Sequence, residues 1–104
     1  MNEYSPDPET TRLIERLIET VRNVDRASLD AVEDPARRVR LKFELDVLWL
    51  EAADIGASLM RLGGLPLTQR AAREVRRVSA RLCDPLEDTW AVRVPGYQKV
   101  QWLP

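Results

Sequence analysis

The nine residues VRLKFELDV, Val39 to Val47, alternate apolar and charged side chains without a break. Alternation of period two marks a half-buried β-strand. A strand here would begin a strand–helix–helix unit of the kind that reads DNA, whereas a helix makes the chain an all-helical packing module. The wider window decides for the helix. Leu41, Leu45, Leu48, Ala52, Ile55, Leu59 and Leu62 follow one another at spacings of 4, 3, 4, 3, 4 and 3, a single helical stripe of twenty-two residues against nine of alternation. Turned at ~100° per residue, the other side chains also sort by face. Val39, Phe43, Val47 and Leu50 form a second stripe on the opposite side, while Trp49, Ala53, Gly56 and Met60 form a third. Arg40, Glu44, Glu51, Asp54 and Ser58 share a polar strip. VRLKFELDV thus alternates because two helical stripes interleave within it.

Upstream, DPETTRLIERLIETVRNV places Pro8 at a first helical position after Asp7, and Leu13, Ile14, Leu17, Ile18, Val21 and Val24 on one side. Asn23, Asp25 and Ser28 weaken the pattern, so this helix either continues through Ala31 and Val32 or restarts at Ser28 as an N-cap. Asp34-Pro35 ends it and caps the next. Downstream, Gly63-Gly64 stops the second helix and Leu65-Pro66-Leu67 forms an extended link. Thr68 caps a third helix whose thin apolar face is Ala71, Val75, Val78 and Leu82, ending at Cys83 before Asp84-Pro85. In the tail, WAVRV and YQKVQWL flank Pro95-Gly96 and are rich in β-formers, which predicts a bent extended arm. The expected fold is therefore an all-α three-helix bundle, with helices over about 8–33, 35–62 and 68–83. Residues 1–88 make the helical domain and residues 89–104 an arm that packs on it or on a partner subunit.

Helices over 35–62 and 68–83 are ~42 Å and ~24 Å long at ~1.5 Å per residue. The shorter one can cover the Trp49 stripe but stops before Val39 and Phe43. Trp90, Tyr97 and Trp102 are then expected to cover Val39, Phe43 and Val47, within the chain or from a second copy, since an exposed apolar stripe promotes association.

Composition narrows function. The 104 residues carry 32% charged and 44% hydrophobic side chains, enough for one small core and neither a disordered nor a membrane-spanning pattern. The longest apolar run is Val47 to Leu50, and MNEYSPDPE lacks the basic-then-apolar layout of a signal peptide, so a cytoplasmic protein is expected. There is no histidine, and one cysteine, Cys83, cannot close an internal disulfide. Arginine outnumbers lysine fourteen to two, as in a GC-rich bacterium or its phage.

Net charge is −1, unevenly placed: residues 1–34 sum to −5 and residues 63–83 to +4. Arg70, Arg73, Arg76, Arg77 and Arg81 supply the basic part, relieved by Glu74. Such a face suits an acidic protein partner or phosphates, or it is solvated or paired with Glu15, Glu19 and neighbouring acids of the first helix. Ala52, Gly56, Ala57, Ser58 and Leu62 fit helix-turn-helix spacing, but Glu51 falls where an apolar residue is wanted and the glycine pair breaks the recognition helix. These small residues read better as a close-packing face. A ribbon–helix–helix would turn Arg40, Lys42 and Glu44 outward as base readers, against the continuous stripe. Glu44, Glu51 and Asp54 are the best carboxylate cluster, yet lack a histidine or second acid cluster, and Cys83 beside Asp84 lacks a base. No catalytic residue, cofactor, metal, membrane or small-molecule substrate is indicated. The expected function is a non-enzymatic protein-interaction or regulatory module, an adaptor or inhibitor that self-associates. A nucleic-acid-binding regulator using the arginines is second.

Overall fold

VRLKFELDV is helical. The computed structural model describes residues 8–33 and 35–101 and contains no strand among them. Helix α1 (Pro8–Glu33) runs unbroken past Ser28. A short 3-10 turn (Pro35–Arg37) leads into α2 (Arg38–Val78), and α3 (Ala80–Arg93) follows after a single extended residue, Ser79. The fold is an all-α three-helix bundle in which α2 is the middle element, packing against both α1 and α3. Asp34, expected as a cap, and Trp102, expected in the arm, lie outside the described residues.

Helix α2 is two limbs rather than one rod. Gly64 adopts φ 71° and ψ −163°, a region essentially restricted to glycine, and the chain changes direction there. The link expected at Leu65-Pro66-Leu67 is already helical, because proline is tolerated in a first turn whose N–H groups have no helical acceptor. Thr68 is not the cap. It is fully buried in that turn, and its hydroxyl donates back to the Gly64 carbonyl at 3.0 Å.

The largest departure comes next. The second limb ends at Val78, Ser79 is extended (φ −152°, ψ 92°), and α3 runs straight through Asp84-Pro85 to Arg93. Locally, Asp-Pro disfavours helix. Tertiary burial overrides it, since Leu82, Leu86 and Trp90 recur every four residues and all three are buried. The extended segment consequently begins at Val94, not at residue 89, and the β-rich WAV is the last turn of a helix.

The core joins Leu17, Val21 and Val24 of α1, Ala52, Ile55 and Leu59 of the first α2 limb, Ala71, Ala72 and Val75 of the second, and Leu82, Leu86 and Trp90 of α3. Val94 and Tyr97 of the tail complete it. Gly56 and Met60 are covered by α3 and the tail rather than by the second limb: a Cβ on Gly56 would lie 2.5 Å from Trp90 Nε1, and one on Gly96 3.3 Å from Met60 Cε. The molecule measures 54 × 27 × 25 Å, and all of its buried core in α2 except Leu41 lies from Ala52 onward. One end of α2 is therefore supported from one side alone.

Candidate interaction site

That end carries the second stripe of the sequence. Val39, Phe43, Val47 and Leu50 are 81%, 71%, 49% and 45% exposed. They follow at spacings of four, four and three residues, so they form one continuous apolar line along the helix. Leu41, Leu45 and Leu48, on the other side, turn into the molecule: Leu41 is buried, and the other two pack on the core. Beside the stripe lies an open groove of about 460 Å³, where Phe43, Val47 and Leu41 meet Asn23, Arg26 and Ala27 of α1. A fully exposed side chain of this size costs ~1.5–3 kcal/mol relative to burial, and the half-exposed Val47 and Leu50 roughly half of that. A contiguous line of them marks a contact surface more than a lone exposed leucine does.

Two of the aromatic residues expected to cover this stripe, Trp90 and Tyr97, are elsewhere. Trp90 is fully buried over Gly56, its Nε1–H donating to the Ala52 carbonyl at 2.8 Å. Tyr97 packs edge-on against it, ring centroids 5.1 Å apart. The two are brought together with each other but not with Val39, Phe43 or Val47, which lie on earlier turns of α2. The length argument failed because it took the helix to end at Cys83, which placed Trp90 on a free arm instead of inside α3.

The residue organising the tail is Glu87, which the sequence did not single out. It is buried, and its Oε2 accepts from the Tyr97 hydroxyl and from the Val100 N–H, each at 2.7 Å. Cys83 Sγ lies 3.8 Å from Oε1 and 3.7 Å from the Ala72 carbonyl. Burial, with Glu87 and Asp84 beside it, pushes the Cys83 thiol up to about 12, opposite to what a thiolate nucleophile requires. Burial and the bond to Glu87 likewise raise Tyr97 above the ordinary phenol range. Outside this cluster, Gln69 Nε2 donates to the Gln98 carbonyl at 2.8 Å, tying the tail to the second limb of α2.

The five arginines do not share a helix. Arg70, Arg73, Arg76 and Arg77 are exposed on the second limb of α2, and Arg81 sits in the first turn of α3. Arg81 pairs with Asp25, one of the acids of α1, as the pairing with the acidic first helix anticipates, and Arg77 pairs with Glu74 at 3.4 Å. Both are exposed pairs, worth ~0–1 kcal/mol each. On the polar strip Glu51 bonds Arg16 at 3.3 Å, and among the described residues no three acids or cysteines stand close enough to hold a metal ion.

Both DNA-reading alternatives fail on geometry. The ribbon–helix–helix needs a strand at 39–45, which is helix, and the helix-turn-helix needs a turn near Gly56, which lies inside a helical limb under Trp90. No helix among the described residues is long and apolar enough to cross a membrane. No protein-family model, curated protein or solved structure matches the chain.

Proposed function

We propose that the protein is a non-enzymatic interaction module of the adaptor or inhibitor kind, contacting proteins through the exposed N-terminal part of α2. The observation that carries this reading is the unbroken line Val39, Phe43, Val47 and Leu50 on a helix otherwise anchored by its opposite face. Apolar helix faces recognise other helices or grooves through anchors at such spacings. The basic limb adds charge selection, favouring acidic partners and accelerating their encounter. Affinity capture with the full chain and with F43D/V47D tests the reading. Proteins retained by the wild type and lost by the variant support it; identical capture by both rejects it.

A second reading rests on the exposure of Arg70, Arg73, Arg76 and Arg77 along one limb, a row able to contact phosphates. Salt-sensitive retention on DNA, abolished by R70E/R73E/R76E, would support it. Elution unaffected by those substitutions removes it.

A further inference from the structure

The charge pattern of VRLKFELDV has a property that the apolar stripe alone does not require: it is antisymmetric about Phe43. Moving outward from Phe43, the chain meets Lys42 on one side and Glu44 on the other, then Leu41 and Leu45, then Arg40 and Asp46, then Val39 and Val47. Every apolar position has an apolar counterpart at equal distance, and every base has an acid. We propose that the stripe is covered by a second copy of the chain, its α2 antiparallel to the first about a two-fold axis at Phe43. This rests on the reading of the stripe as a contact surface and names its occupant.

Physical consequences follow from that symmetry. A two-fold interface is isologous, so each residue meets the reverse of its own sequence. An antiparallel copy sets Phe43 against the partner's Phe43 and Val39 level with the partner's Val47. Arg40 falls level with the partner's Asp46 and Lys42 with the partner's Glu44. A parallel copy instead brings each charge level with its like. At ~100° per residue, Arg40 and Glu44 border the stripe on one side while Lys42 and Asp46 border it on the other. On each border the reversed copy lays a base next to the partner's acid. All four charged residues are exposed, and none takes part in the ion pairs formed among the described residues.

Sterically the register also fits. With Phe43 at the centre, the partner's α2 begins level with Leu48, short of Ala52, where Trp90 of α3 starts to cover the helix. The uncovered part of α2 and the length the partner occupies coincide. Two such helix segments make a small interface, the size class of weak and reversible association.

Sedimentation of the full chain at about 1 µM and about 200 µM spans the affinities of such interfaces. The expected result is a shift from 11.9 kDa toward twice that mass. R40E/K42E and E44K/D46K should each weaken the dimer by at least about tenfold, and mixing the two variants should restore it. Orientation is read from disulfide capture in a Cys83→Ser background: V39C mixed with V47C forms a cross-chain disulfide, while neither forms one alone. A chain that stays at 11.9 kDa throughout overturns the second copy, even where capture of other proteins still depends on Phe43. A dimer indifferent to the charge variants, or V39C chains that cross-link to one another, overturns the antiparallel arrangement.

Discussion

Trp90 lies over Gly56 so closely that a Cβ at residue 56 would sit 2.5–2.9 Å from three atoms of the indole, whose Nε1–H meanwhile donates to the Ala52 carbonyl. The small residues Ala52, Ala53 and Gly56 let α3 approach α2 to this distance, and the tail then closes over the indole through Tyr97.

Gly56→Ala is therefore expected to destabilise, although alanine is the better helix former by ~1 kcal/mol. The added methyl must displace a buried tryptophan rather than the end of a flexible side chain, an overpacking cost of ~1–3 kcal/mol beyond that gain. Urea unfolding should show a net loss, and near-ultraviolet circular dichroism should report a changed indole environment. A stabilised Gly56→Ala variant with an unchanged spectrum would refute this packing.

Tyr97→Phe removes one of the two donors that bond Glu87 Oε2 at 2.7 Å. The Val100 N–H still bonds that oxygen, so the loss is that of one net hydrogen bond, ~1 kcal/mol. Because the contact lies between α3 and the tail, a double-mutant cycle with Glu87→Leu should give a coupling energy of at least ~1 kcal/mol. Simple additivity of the two substitutions would mean that the bond contributes nothing to docking the tail.

Alkaline pH should unfold the protein by way of the same cluster. Cys83 is raised from 9.0 to about 12, and Tyr97 is raised above its ordinary 10.0. For both, the folded state holds its proton more tightly than the unfolded state, so the stabilisation is complete below about pH 9 and is lost as pH rises through the folded values. Denaturant midpoints should be insensitive to these two groups near neutrality and fall above pH 9. Cys83→Ala should flatten the first part of that fall, and Tyr97→Phe the part that begins near 10. A midpoint rising in this range would contradict the sign.

How much of this was legible in the chain depended on whether the deciding contacts were local. Helix α1 and the first limb of α2 could be read because their apolar residues repeat over many turns and outweigh any nine-residue alternation. Helix α3 could not, because Asp84-Pro85 signals a stop to its neighbours, while what overrides it is the common core that Leu82, Leu86 and Trp90 join, Trp90 reaching back to the Ala52 carbonyl. Glu87 was hidden for a related reason. Nothing in PLEDTW distinguishes it from Asp88, and its partners lie ten and thirteen residues further along. The exposed stripe at Val39, Phe43 and Val47 was visible as an orphan face; the placement of Trp90 and Tyr97 away from it required knowing where α3 ended.

Gly64 gives the last prediction, which concerns the backbone alone. Its φ of 71° with ψ of −163° is unfavourable for any residue with a side chain, yet a Cβ there would find only Pro66 Cδ, at 3.8 Å. Gly64→Ala therefore meets no clash, and its whole cost is conformational, ~1–3 kcal/mol. That sets it apart from Gly56→Ala, where the backbone is content and the neighbour is not. A compensating substitution that shortens the Trp90 side chain should rescue Gly56→Ala in part and leave Gly64→Ala unimproved. Thermal unfolding of the four variants separates the mechanisms, since a domain of this size shifts its midpoint by roughly 4–8 °C per kcal/mol. Equal rescue of both glycine variants would show that the bend at Gly64 and the indole over Gly56 are one coupled feature.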